Sequence, residues 1–196
     1  MINHIKRPDK TTMFFIAMVL FDVLTFLMAK RNYYFSLLLP TGILIPAFLT
    51  ILSSFLLARK LKVKTYLIVV ISIFVLPIIL FNLAIKAIVL DYSYDIVRYT
   101  SGPNRITVEH RNATMGETHH FYNFYKSTAI LGVSKKVNND LVEIVTRGTG
   151  DGDLEVLGTY NAEWAENNNK VVFRSPYAVT SVDIEKNKIN VSGTEN

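Results

Sequence analysis

Apolar residues are unevenly spread along this chain. They gather in three long runs before residue 90 and then give way to short alternations. Residues 13–29 (MFFIAMVLFDVLTFLMA), 33–58 (YYFSLLLPTGILIPAFLTILSSFLLA) and 65–85 (TYLIVVISIFVLPIILFNLAI) each have the length and apolarity that a membrane-crossing helix needs. The third pattern extends to about residue 90, because Lys86 near a helix end can snorkel to the interface. The expected fold class is therefore a membrane α-helical region of three transmembrane helices, followed by an all-β or mainly-β domain built as an antiparallel sheet or small sandwich. The expected divisions are a cytoplasmic N-terminus at 1–12, a transmembrane region at 13–90 and an extracytoplasmic β-rich domain at 91–196.

Past Leu90 the apolar period becomes two, the signature of half-buried strands. Residues 95–100 and 105–111 predict a hairpin around Ser101-Gly102-Pro103-Asn104, whose Gly and Pro suit a turn. Ile106, Val108 and His110 then share one face, and Thr107, Glu109 and Arg111 the other. Further strands are predicted at 141–147, 153–158, 160–165, 170–174, 178–185 and 188–192. Residues 120–133 fit an aromatic strand, but Phe121, Phe124, Tyr125 and Thr128 also have helical spacing. Trp164, Phe121, Phe124 and Phe173 are the expected core anchors.

Charge sharpens this division. Residues 1–90 carry a net charge of +8 and residues 91–196 a net of −3, so the overall +5 and the pI near 9.3 belong to the apolar half. Basic residues beside apolar runs indicate topology and argue against a nucleic-acid partner. Lys6, Arg7 and Lys10, with Arg59, Lys60, Lys62 and Lys64, outnumber Lys30 and Arg31 on the opposite side. The positive-inside rule then predicts a multi-pass cell-membrane protein with its N-terminus in the cytoplasm and its C-terminal domain outside. With no cysteine in the chain, disulfides, thiolate metal sites and cysteine nucleophiles are excluded.

Two stretches carry a resemblance. Tyr99-Thr-Ser-Gly-Pro-Asn-Arg-Ile-Thr-Val-Glu-His resembles hairpins of small extracytoplasmic β domains, and Tyr160-Asn-Ala-Glu-Trp-Ala-Glu-Asn-Asn-Asn-Lys-Val-Val-Phe is similar to Trp-turn-strand hairpins found with them. Set behind a helical anchor, they make the chain resemble uncharacterised small membrane proteins of Gram-positive bacteria. The resemblance implies the anchor-plus-β-domain plan and transfers neither an activity nor a site.

The candidate chemistry is sparse. Asp22 lies inside the first apolar run, where a carboxylate costs about 2.5–3.5 kcal/mol to insert, so it needs a partner. That partner is a neighbouring Thr25, Ser53 or Asn82, another membrane protein, or a proton path. Glu109, His110, Glu117, His119 and His120 could supply a His/carboxylate metal site. Adjacent His119 and His120 point to opposite faces of a strand, however, so solvated residues without a bound metal or cofactor are the simpler expectation. Asp151, Asp153 and Glu155 loosely resemble a calcium loop, although a hairpin turn explains them too. Phe121, Tyr122, Phe124 and Tyr125 are either core or a surface that docks a partner. The expected function is non-enzymatic: a β domain that binds a protein, peptide or envelope component, with an accessory or immunity-type subunit of a larger membrane complex as one form of that role. The alternatives are a transporter or channel subunit that uses Asp22, and a metal-dependent hydrolase that uses the histidine cluster.

Overall fold

The computed structural model describes residues 9–42, 44–62, 81, 92–98, 105–148, 150–165 and 169–193. These divide into two compact units. One holds the helices on either side of residues 32–40, and the other holds residues 32–40 together with the β strands.

In the first unit, helix α1 spans Lys10–Lys30 and helix α2 spans Leu44–Lys60. Asp9 caps α1, its carboxylate accepting from the backbone N–H groups of Thr11 and Thr12 at 3.0 Å each, which satisfies donors that a helix start leaves free. The two helices run antiparallel: Lys60 at the end of α2 forms an ion pair with Asp9, and Thr50 donates to Asp22 Oδ2 at 2.6 Å.

The prediction of three spans, and with it the multi-pass topology, is corrected by this arrangement. Among the described residues only α1 is long and apolar enough to cross a membrane. The apolar run 33–58 is not a single helix. Tyr33–Phe35 form strand β1, Ser36–Leu38 a 3-10 turn, and helical structure resumes only at Leu44. Gly42 at φ 58°, two residues past Pro40, takes the chain out of helical geometry. What remains is a helix of 17 residues ending in Arg59 and Lys60. Hydropathy alone could not see this, because Tyr-Tyr-Phe is as apolar in a strand as in a helix. The third run, 65–85, lies outside the described residues apart from Phe81.

The second unit is built from two antiparallel sheets. The first contains β1, β2 (Ser93–Arg98), β3 (Arg105–Met115), β4 (Glu117–Ser127), β5 (Val133–Lys136) and β6 (Val142–Thr146). Its order is β1-β5-β4-β3-β2, and β6 pairs with the first half of β4 while β5 pairs with the second. Strands β3 and β4 are aligned from Ile106↔Lys126 to Met115↔Glu117, with Gly116 at φ 91° making the turn. The second sheet runs β10 (Lys188–Gly193), β9 (Ala178–Asp183), β8 (Lys170–Arg174) and β7 (Glu163–Trp164). The strands foreseen at 170–174, 178–185 and 188–192 are present with small changes at their ends, and 117–127 is strand rather than helix. The turn foreseen at 101–104 lies outside the described residues.

One core joins the sheets. Ile106, Val108, Tyr122, Phe124, Val142 and Ile144 from the first meet Val171, Phe173, Ala178 and Val182 from the second. The Phe124 and Phe173 rings stack with centroids 5.8 Å apart. Trp164 is partly buried against this core.

The predicted strand at 153–158 is corrected as well, since Asp153–Leu157 form a short helix, α3. Glu155 Oε2 accepts from the Gly152 N–H at its start, and the chain leaves through Gly158 at φ 83°. Val156 and Leu157 are fully buried, so an alternation that suits a strand instead supplies one turn of a helical core face. A Cβ on Gly158 would stand 2.2 Å from the Arg174 carbonyl oxygen. Gly158→Ala is therefore expected to destabilise the β unit by at least about 2 kcal/mol, from left-handed strain and the clash together. Gly150→Ala, with open space around it, should change stability by no more than about 0.5 kcal/mol. Urea unfolding followed by the fluorescence of Trp164, the single tryptophan, measures both.

Candidate functional site

The register of β2, β3, β4 and β6 decides which titratable side chains meet. His110 lies opposite Tyr122 and His120 opposite Asn112, all facing the second sheet; Asp95 and Thr146 fall on the same face from β2 and β6. Asp153, the first residue of α3, closes the group.

Asp153 is its hub. His110 Nδ1 lies 2.9 Å from Asp153 Oδ2, and His120 Nδ1 lies 2.7 Å from Oδ1. The Asn112 amide donates to Oδ1 at 3.1 Å, and the Tyr122 hydroxyl donates to the Asp153 backbone carbonyl at 2.7 Å. The network extends in two directions. His110 Nε2 meets Asp95 Oδ2 at 2.9 Å, and His120 Nε2 meets the Thr146 hydroxyl at 3.0 Å. It runs from a half-exposed carboxylate, Asp95 (49% exposed), to an imidazole at 1%, His120.

Hydrogen-bond chemistry fixes the charge of His110. Both of its nitrogens face carboxylates, which only accept, so both bonds form only when the ring is protonated. Burial alone would lower the His110 pKa, but the hydrogen bonds and charges of Asp153 and Asp95 outweigh it and hold the pKa above its ordinary value. Burial likewise works to raise the Asp153 pKa, yet the hydrogen bonds from His110, His120 and Asn112 prevail and hold it below the usual carboxylate range. The Tyr122 hydroxyl is pushed up, by burial first and by the Asp153 charge second, so it stays a donor.

The opposite face of the same sheet carries a separate group. Glu109 is buried and accepts from the Tyr125 hydroxyl at 2.6 Å and from the Asn123 amide at 2.9 Å. Tyr94 also bonds to it. Burial, then the Glu109 charge, raises the pKa of both tyrosines. Asn138 ties Asn123 to the following loop at 2.8 Å. Farther along this face Arg111 lies between two rings, its guanidinium 5.5 Å from the Tyr92 centroid and 4.3 Å from that of Phe121. His119 stacks on Phe121 at 6.2 Å and bonds Glu143 at 2.5 Å.

The five candidate metal ligands are thus dispersed. His110 and His120 converge on Asp153, Glu109 and His119 lie on the other face, and Glu117 pairs with Arg147 near the β3–β4 turn. Among the described residues no three His, Asp or Glu side chains are placed to hold a metal ion. Of the loop acids, Asp151 bonds the Tyr177 hydroxyl, Asp153 is the hub and Glu155 caps its own helix. Of the four aromatics, Tyr122 and Phe124 are fully buried, Tyr125 nearly so, and Phe121 is half-buried. Asp22 bonds Thr50, which was not among its foreseen neighbours. Thr25 bonds the Asp22 backbone carbonyl instead, at 2.8 Å, and Asp22 Oδ1 is buried without a hydrogen-bond partner among the described residues.

Sequence reasoning missed Asp95, Thr146, Arg111 and Tyr92, and it read Asp153 as a loop acid rather than as the partner of His110 and His120. One signal pointed to the hub: His110 is in phase with Ile106 and Val108, and an imidazole on a core face calls for a buried acceptor. No family model, curated protein or solved structure matches this chain.

Removing the hub has a defined consequence. Asp153→Ala leaves two buried imidazoles without their acceptor and should destabilise the β unit by about 3 kcal/mol. The pH dependence has a fixed sign. With its pKa raised on folding, His110 contributes stability that is complete below about pH 6.5 and is lost as pH rises through its folded-state pKa. With its pKa lowered, Asp153 contributes stability that is complete above its ordinary 3.8 and is lost as pH falls through its folded value. Urea midpoints from pH 3 to 9 should therefore decline on the alkaline side in the native protein and flatten there in His110→Gln.

Proposed function

We propose that this protein is a membrane-anchored, non-enzymatic binding module, with α1 as the anchor and the accessible face of the β3–β4 sheet as the surface that engages a protein or peptide partner. The carrying observation is the Tyr92–Arg111–Phe121–His119 stack. Arg and aromatic side chains dominate binding hot spots, because they bring large contact areas with little entropy to lose. A guanidinium already held between two rings is pre-organised for a carboxylate. Exposed Leu141 and Val145 extend the patch with apolar area. The occupant that fits is an acidic side chain or C-terminal carboxylate of a protein with an apolar neighbour. The Asp153 network supports the non-enzymatic reading, because its groups are engaged with one another and tie α3 to the sheet.

Site-specific photo-crosslinking in the native membrane tests this. A photoreactive residue at Val145 should give a discrete adduct that one at Asn190, exposed in the second sheet, does not. Arg111→Ala or Phe121→Ala should weaken that adduct about tenfold, the effect of a side chain worth about 1.4 kcal/mol to binding. Equal labelling at the two positions, or an adduct indifferent to both substitutions, would refute the assignment.

A further inference from the structure

The β unit has a second accessible feature on the same sheet face, at the end formed by β1, β5 and β2. A groove of about 440 Å³ opens there, lined by Leu37, Leu39, Pro40, Ile96 and Leu131 with Arg105 at the same site. That volume falls in the range of about 300–1,000 Å³ typical of small-molecule sites. The lining makes few polar demands, since the Ser36 and Ser134 hydroxyls bond each other at 2.8 Å. Two of its leucines stand out in water, Leu37 at 89% and Leu131 at 96% exposed, and Ile130 beside them is 68% exposed. The two loops that carry them are fixed to each other by the β1–β5 pairing and by the Ser36 N–H donating to the Gly132 carbonyl at 2.8 Å. Apolar tips on a held framework suit an apolar occupant.

Three observations select a lipid. The segment that supplies Leu37, Leu39 and Pro40 follows α1 directly, with residues 32–36 alone between Arg31 and Leu37. Arg31 and Leu37 are thus joined by at most about 20 Å of chain, which ties the groove segment in sequence to the proposed anchor. Tyr33 and Tyr34 open the segment, the aromatic composition of a membrane interface. Arg105 gives Nε to Ser127 at 2.9 Å and forms no ion pair with a carboxylate among the described residues, which leaves a cation beside an apolar groove. We infer that this groove takes an acyl chain of an anionic phospholipid, with Arg105 against the phosphate.

The inference rests on the anchor assignment above, and one experiment separates the two. The full chain is reconstituted in nanodiscs containing a phosphatidylglycerol with a diazirine on its acyl chain, irradiated, digested and mapped by mass spectrometry. Adducts on the α1 peptide report the anchor. Adducts on the peptides carrying Leu37 and Leu131 report the groove and are expected to fall about tenfold in the Leu37→Asp/Leu131→Asp double variant. Both sites are exposed, and an unchanged urea midpoint shows that the fold persists. Arg105→Ala should remove the preference for phosphatidylglycerol over a phosphatidylcholine probe. Adducts on α1 with none on the groove peptides, or groove adducts unaffected by the double variant, would overturn the lipid site alone. Absence of adducts from both would overturn the anchor and the site together.

Discussion

A single carboxylate holds the β unit's polar interior together. Asp153 accepts from an asparagine and lies against two imidazoles on neighbouring strands, and its backbone carbonyl accepts from Tyr122. Each of those groups sits on a sheet face that otherwise buries Ile106, Val108 and Phe124. Without the acceptor, the histidines would be unpaired polar groups in a low-dielectric interior, a costly state. With it, α3 is tied to β3 and β4, and Val156 and Leu157 are delivered to the core. The tight exit at Gly158 then lets the chain pass against the backbone of β8. Polar and apolar packing therefore depend on one another at this point.

The proposed recognition surface lies on the opposite face of the first sheet, since the inner face is committed to the core. Its middle is occupied by Glu109 with its tyrosine and asparagine donors, a self-satisfied group. Away from it lie two features of different character. Arg111 between Tyr92 and Phe121 offers a positioned cation, whereas the Leu37–Leu131 groove offers apolar volume. The first is the proposed site for a carboxylate and the second for an acyl chain. The alternation of β3 and β4 produces both arrangements, since each strand sends one set of side chains to the core and the other outward.

Much of this architecture was legible in the chain. The change from long apolar runs to period-two alternation separated helix from sheet, and β8, β9 and β10 followed from their Val-rich patterns. The opposition of His119 and His120 followed from strand geometry once residues 117–127 were a strand. Other features were not legible, for specific reasons. Asp153 reads as a turn acid because its partners come from β3 and β4, more than thirty positions away in sequence. The 153–158 alternation suits both a strand and one helical turn. Residues 33–35 look like membrane helix until β5 is there to pair with them.

The sequence by itself determined several of the β strands and the alternation of side chains across them, because the strand period is a local property of the backbone. It determined that an apolar helix precedes a β unit, that cysteine chemistry is absent and that the basic charge accompanies the apolar half. Only the tertiary structure decided that the apolar run 33–58 breaks into a strand, a turn and a shorter helix, leaving α1 as the candidate span among the described residues. It alone chose Asp153 over the adjacent acids as the partner of His110 and His120, and it set Arg111 between the Tyr92 and Phe121 rings. Those choices depend on register between strands distant in sequence, and register is fixed by the whole buried face rather than by any one segment.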